Sequence, residues 1–155
     1  MDRLPFVDEH TVLVDAGPEE LWRRLLVQVE RSLSGAAGAR YARLVRADPV
    51  AAGGPRPLDG GSAFPGFLVA GFEPGRELAL RGRHLFSTYA LVYRIEALSD
   101  GRSRLRAETR AVFPGMAGRL YRLLVISSGA HAFAMRRMMA AYRRGPRAAR
   151  GTRAA

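Results

Sequence analysis

The chain of 155 residues contains no cysteine and no lysine. Without cysteine there is no disulfide framework, no thiolate zinc site and no thiol nucleophile. The domain must be held by packing alone, and a chain of this length can bury a core sufficient for that. The absence also fits a reducing compartment. Long apolar runs are missing as well. The longest uncharged apolar stretch, Leu123 to Met135, has 13 residues, against about 20 for a spanning helix. Met1 to Asp8 carries acids and no apolar run of the kind that marks a signal peptide. A cytoplasmic protein without a transmembrane segment is therefore expected. Histidine is sparse: His10, His84 and His131 have no close pairing, so no metal site and no cofactor are expected. Gly53-Gly54 and Gly60-Gly61 are followed by neither a helix start nor a lysine, which excludes a phosphate-binding loop. Nucleophile-elbow, kinase and metalloprotease motifs are absent too.

What the chain has in excess is arginine. All 25 bases are Arg, and the formal net charge is +11. Residues 136–155 hold seven Arg and no acid, for +7, whereas residues 1–135 hold 18 Arg against 14 acids, for +4. The excess thus lies at the end of one helix and in a tail of Arg, Ala and Gly. That composition has nothing to bury. The expected organisation is one domain over 1–144 and a disordered basic tail over 145–155. No nucleic-acid motif accompanies the charge, so no specific nucleic-acid partner is expected.

Periodicity supplies the elements. His10 to Asp15 reads as a strand. Pro18 with Glu19 and Glu20 opens a helix to about Arg31, with Leu21, Trp22, Leu25, Leu26 and Val29 as its apolar stripe. Ser34 to Ala39 breaks that helix, with room for a short second one, and Tyr41 to Ala47 reads as a strand. Asp48 to Pro65, rich in Pro and Gly, reads as a long loop with a short edge strand near Ser62, placed to cover an opening. A meander follows: Gly66 to Glu73, Arg76 to His84, Ser87 to Leu98 and Ser103 to Phe113. Its last strand alternates Leu105, Ala107, Thr109, Ala111 and Phe113 against Arg104, Arg106, Glu108 and Arg110. A sheet with one apolar and one charged face needs a cover on one side. A helix from about Met116 to Arg144, roughly 43 Å long, supplies it. Met116, Leu120, Leu124, Ser127, His131, Met135, Met138 and Tyr142 share one stripe, with the arginines opposite.

This order of elements resembles the START-like superfamily, the helix-grip fold of pathogenesis-related plant allergens, lipid-transfer domains and bacterial polyketide cyclases. Val12 to Leu26 (VLVDAGPEELWRRLL), Phe67 to Leu80 (FLVAGFEPGRELAL) and Arg102 to Phe113 followed by a long helix carry the resemblance, which spans about residues 9–144. It looks most like the uncharacterised bacterial members. It implies an α+β fold in which a curved antiparallel sheet of six or seven strands wraps around the C-terminal helix. It also implies a cavity between sheet and helix for a sterol, lipid, aromatic polyketide or hormone-like molecule.

The residues themselves leave several readings open. The interior-facing set is Leu78, Leu80, Tyr89, Leu91, Tyr93, Leu105, Ala107, Thr109, Leu120, Leu124, Ser127, His131, Met135 and Met138. Within it Leu80, Tyr89, Leu91, Tyr93, Ala107, Thr109, Leu124, Ser127, His131, Met135 and Met138 are the candidate ligand-binding residues. The small members Ala107, Thr109 and Ser127 would leave a pocket of several hundred Å³, in the usual range for such sites. His131 could bond a ligand or act as a base, but a core histidine satisfied by a hydroxyl is the plainer reading. His84, at a strand end, is expected to be exposed. Arg94 and Glu96 could pair with neighbouring strands on the charged face and read as solvated. The leading functional reading is a non-enzymatic binder or carrier of a hydrophobic, lipid- or polyketide-like molecule. The alternative is a polyketide cyclase, aromatase or dehydratase using His131 and a Tyr. Ile126 and Phe133, read as outward-facing among arginines, leave a membrane-surface or homodimer contact as a third.

Overall fold

The period of two that runs through the second half of the chain builds most of one sheet. The structure is a computed structural model that describes residues 4–143. Its strands are β1 (Phe6–Val14), β2 (Ala63–Phe64), β3 (Phe67–Glu73), β4 (Glu77–His84), β5 (Ser87–Ala97) and β6 (Ser103–Val112). They form one antiparallel sheet in the order β1-β6-β5-β4-β3-β2. Register shifts between Phe6 and Asp8 and between Val69 and Gly71 interrupt the ladders near both edges, where such irregularities bend a strand. Helices α1 (Pro18–Leu33) and α2 (Ala36–Leu44) connect β1 to the loop before β2. The C-terminal cover consists of α3 (Gly115–Arg122), a π-helical turn (Leu123–Ser127) and α4 (Ala130–Arg143). This is the helix-grip arrangement.

The apolar side chains of alternate strand positions meet α1 and α4. Val12, Val14, Leu78, Leu80, Tyr93, Leu105 and Ala107 pack against Leu21, Trp22, Leu25 and Val29 of α1 and Met135, Met139 and Tyr142 of α4. Each fully buried Leu among them contributes about 1.5–3 kcal/mol of transfer free energy. Trp22 meets Phe72 edge-on at 5.3 Å between ring centroids. The opposite face carries ion pairs. Arg94 reaches both Glu77 (2.8 Å) and Glu108 (2.7 Å), Arg110 also grips Glu108, and Arg104 pairs with Glu96. So Arg94 and Glu96 are solvated as expected and also hold the cross-strand partners open to them. Such exposed pairs are individually weak. Glu108 differs because it is buried. Burial raises its pKa, but the hydrogen bonds from Arg94 and Arg110 outweigh that and leave the carboxyl below its ordinary value.

Three expectations need correction. Tyr41 to Ala47 is not a strand: Ala36 to Leu44 is helical, because Ala42 and Val45, three residues apart, turn inward together, with Ala47 beside them. The loop from Asp48 to Pro65 carries the short edge strand read near Ser62, as β2, but it is tied down, where loops of this length are often mobile. Leu58, Ser62 and Phe64 are buried, and Ser62 Oγ donates to the Pro55 carbonyl at 2.8 Å. The single long helix is broken, since a π turn widens the spiral at Leu123–Ser127 and Gly129 takes φ +77°. The basic tail expected over 145–155 lies outside the described residues.

One contact in the sheet admits only glycine. A Cβ on Gly82 would lie 1.9 Å from the Gly66 carbonyl oxygen and 2.8 Å from the Tyr89 ring. Gly82→Ala is therefore expected to destabilise the fold by about 1–3 kcal/mol or more through overpacking. Chemical denaturation would measure it, and an unchanged midpoint would show that both the Gly66 carbonyl and the Tyr89 ring are free to move aside.

Candidate ligand-binding cavity

The core is solid under α4, where Met135, Met139 and Tyr142 fill the space over Leu80, Tyr93, Leu105 and Ala107. Toward the other end of the sheet the cover changes from α4 to the π turn and α3, and the filling stops. A cavity of about 270 Å³ opens there, bounded by β4–β6, the end of α1, α2, the π turn and α3. Its wall is mainly apolar, with Leu33, Phe67, Leu91, Ala111, Phe113 and Val125 among its members. The exposed members of the lining, Ser32, Gly38 and Tyr41, sit on the end of α1 and on α2. The opening therefore lies on that side.

Tyr89 forms one wall. Its ring stands over Gly82, its cross-strand partner, and its hydroxyl donates to the Gly66 carbonyl at 2.7 Å. Burial pushes the Tyr89 hydroxyl up to about 12. Phe67 meets the same ring edge-on at 5.3 Å. His84 lies beside it. The Phe86 N–H donates to His84 Nδ1 at 3.1 Å, so Nδ1 carries no proton and Nε2–H faces Ser87 Oγ at 3.2 Å. Burial lowers the His84 pKa, which favours the same neutral form. His84 was expected to be exposed; it is instead half-buried and lines the cavity, because the turn at Leu85-Phe86 folds back under α3. Tyr121 of α3 stacks on Phe86 at 5.4 Å and shares a hydroxyl–hydroxyl bond with Tyr41 of α2, which joins the two helices at the cavity's edge. Burial raises the Tyr121 pKa well above its usual value.

At the far wall, Thr109 and His131 belong to a polar group of four. His131 Nε2 lies 3.3 Å from Thr109 Oγ1 and 3.5 Å from Asp8 Oδ2, and the same Asp8 oxygen lies 3.3 Å from His10 Nε2. One imidazole nitrogen thus faces both the hydroxyl and the carboxylate. A relay needs the two on opposite ring nitrogens, so this is not the layout of an activated threonine.

The candidate residues divide three ways. Tyr89, Leu91, Thr109 and His131 line the cavity. Leu80, Tyr93, Ala107, Met135 and Met138 belong to the packed core or its border, and Tyr93 donates to Met138 Sδ at 3.4 Å. Leu124 and Ser127 are exposed, as is Leu120 of the wider interior set. They point away because α3 is rotated by roughly half a turn from the expected setting. Ile126, expected outside, lines the cavity, whereas Phe133 is exposed as expected. Asp8 was missed. It shares a face of β1 with Val12 and Val14 and pairs across to Thr109, which would have been legible had the strand been extended back to Phe6. The contribution of α2 was missed for want of a clear period in Ala36–Leu44.

No protein-family model matches the chain, and no curated protein matches it in sequence. Solved structures do match. A hypothetical protein of Helicobacter pylori aligns at 15% identity over 88% of this chain and 86% of its own, with a TM-score of 0.55. The Zhui aromatase/cyclase of Streptomyces sp. R1128 aligns at 17% identity over 93% and 97%, with a TM-score of 0.52. CalU16 of Micromonospora echinospora aligns at 14% over 89% and 76%, with a TM-score of 0.50. The likeness is one of fold: an α+β helix-grip domain.

The neutral His84 has a consequence for pH. Its folded pKa lies below the unfolded value of about 6.5, so the folded state disfavours the proton. The stabilising contribution is complete above the unfolded value and is lost as pH falls through the folded one. Thermal unfolding followed downward from neutral pH should show stability falling, and less steeply in His84→Asn, whose amide oxygen can still accept the Phe86 N–H. Parallel slopes for the two proteins would rule out His84 as a source of the pH dependence.

Proposed function

We propose that the protein binds and carries a hydrophobic small molecule, lipid- or polyketide-like in character, in the cavity between the sheet and the C-terminal cover, with no catalytic step. The carrying observation is the change from solid to open core along one sheet. The wall there is apolar and aromatic, and it is edged by the hydroxyls of Ser87, Thr109 and Tyr121. A mostly apolar concavity with a few polar groups that fix orientation is the usual make-up of a small-molecule site, and about 300 Å³ is the small end of the common range. The fold shared with an aromatase/cyclase supports the ligand class by analogy only.

A cyclase or dehydratase would need an acid and a base facing one substrate atom. Tyr89 is poorly suited to either role, since its hydroxyl is engaged by Gly66 and its pKa is pushed up to about 12. His131 Nε2 is already shared between Thr109 and Asp8. Binding therefore accounts for these side chains with fewer demands than catalysis.

Native mass spectrometry of the purified protein should reveal a retained small molecule, and N-phenylnaphthylamine should brighten on addition to the ligand-free protein. Ala111→Phe and, separately, Ile126→Trp place an aromatic ring in the cavity from opposite walls. Each is expected to weaken probe uptake on the order of tenfold or more, at an overpacking cost of about 1–3 kcal/mol that leaves the fold intact. Wild-type uptake by both folded variants would sink the proposal.

A further inference from the structure

Helix α3 and the π turn are amphipathic in an unexpected direction. Stepping about 100° per residue from Met116 brings Leu120, Leu123 and Leu124 within about 80° of it and leaves Gly118, Tyr121 and Val125 on the other side. The second set faces the protein. Gly118 is buried, and a Cβ there would lie 2.7 Å from the Phe113 carbonyl carbon and 2.9 Å from the Phe86 oxygen. Tyr121 and Val125 line the cavity. The apolar set faces solvent: Met116 is 85% exposed, Leu120 58%, Leu123 60% and Leu124 64%. Leu44 of α2 and Leu85 of the β4–β5 turn are exposed as well. They belong to the same end of the molecule. The Leu85 N–H bonds the Val45 carbonyl, Gly118 rests on Phe86, and Tyr41 bonds Tyr121.

The charge around these leucines is mostly positive. Residues 31–47 contain Arg31, Arg40, Arg43 and Arg46 and no acid, the exposed Asp48 that follows them is held by Arg83 at 2.8 Å, and no acid follows Glu108 anywhere in the chain. Arg40, Arg46, Arg119 and Arg122 are exposed, and among the described residues none of the four has an ion pair. An apolar helix face with arginines at its margins fits the interface of an anionic bilayer, where leucines enter the acyl boundary and guanidiniums meet phosphates. A second copy of the chain fits less well, because it would set arginines against arginines, and the nearby carboxylate of Asp48 is already held by Arg83. No helix among the described residues is long and apolar enough to cross a membrane, so the contact is with the surface.

We infer that α3, the π turn and the adjoining end of α2 dock the protein on an anionic lipid bilayer, with the cavity's opening beside the docked face. This builds on the proposed carriage of a hydrophobic molecule and names where such a molecule would be exchanged.

The test is flotation of the full-length chain with two kinds of vesicle: phosphatidylcholine alone, and phosphatidylcholine mixed with phosphatidylglycerol. The wild type should float with the mixed vesicles, less so as salt rises, and hardly with the neutral ones. The double variant Leu120→Glu, Leu124→Glu alters only exposed side chains and should cut binding on the order of tenfold. Arg119→Gln with Arg122→Gln should flatten the salt dependence. Both retain residues 145–155, so vesicle binding by the tail alone would leave wild type and variants equal, and that result overturns the inference. It is also overturned if the Leu variant converts a dimer to a monomer while the wild type ignores vesicles. Ala111→Phe serves as the reciprocal control. It should lose N-phenylnaphthylamine uptake and keep vesicle binding, whereas the Leu variant should keep uptake. Failure of docking is thereby distinguished from failure of ligand binding.

Discussion

The open end of this fold depends on Tyr89 standing over Gly82. A side chain at position 82 would collide with both the Tyr89 ring and the Gly66 carbonyl. With none there, the ring settles onto the strand and its hydroxyl reaches Gly66, which holds φ +84°. That bond anchors the end of the long loop to the sheet, since the Gly66 N–H in turn donates to the Pro49 carbonyl. The wall of the cavity and the edge of the loop are thus fixed by one aromatic ring and two glycines. His84 and Phe67 then take their places against the ring edges, at 5.4 and 5.3 Å.

A second glycine contact sets the opposite wall. Gly118 brings α3 against the backbone of Phe86 and Phe113, closer than any side chain permits. That approach rotates Tyr121 inward onto Phe86 and turns Leu120 and Leu124 outward. The π turn and Gly129 then release α4 from the direction of α3, so that His131, Met135 and Met139 face the sheet again. The two halves of the cover can therefore do different work. Under α4, methionines and tyrosine fill the space between α1 and the sheet. Under α3 and the π turn, the wall is drawn by rings that stack on one another and leave space between them.

Much of this was legible in the residues. The strands from Phe67 to Val112 follow from the period of two, helix α1 from Pro18, its acids and its stripe, and the helical cover from the charged and apolar faces of β6. Half-legible was the site. Tyr89, Leu91, Thr109 and His131 were readable as interior, yet the cavity was sought along the whole helix and lies at one end. Illegible was Asp8, whose strand begins earlier than its alternation becomes clear. Helix α2 is legible only in part: Ser34 to Ala39 has room for a short helix, but Tyr41 to Ala47 reads as a strand because its Ala and Arg residues carry little periodic signal. The loop's burial was also hidden, since Leu58 and Phe64 look like isolated apolar residues among Pro and Gly until the sheet edge beneath them is known.

The direction of α3 carries a more general point. Helical periodicity defines an apolar stripe but does not say what the stripe faces. Met116, Leu120 and Leu124 form as good a stripe as any in the chain, and counting residues would place it on the sheet. The residue that decides is the smallest one. A glycine in a short helix has no intrinsic helical advantage; Gly118 allows a close approach to the backbone of Phe86 and Phe113, and the face that approaches is the face that is buried, whereas Gly38 of α2 has open space around it. The sequence alone does not tell Gly118 from Gly38, so the setting of α3 becomes visible only in the contact with Phe86 and Phe113. The leucines opposite then become an outward face, exposed beside Arg119 and Arg122.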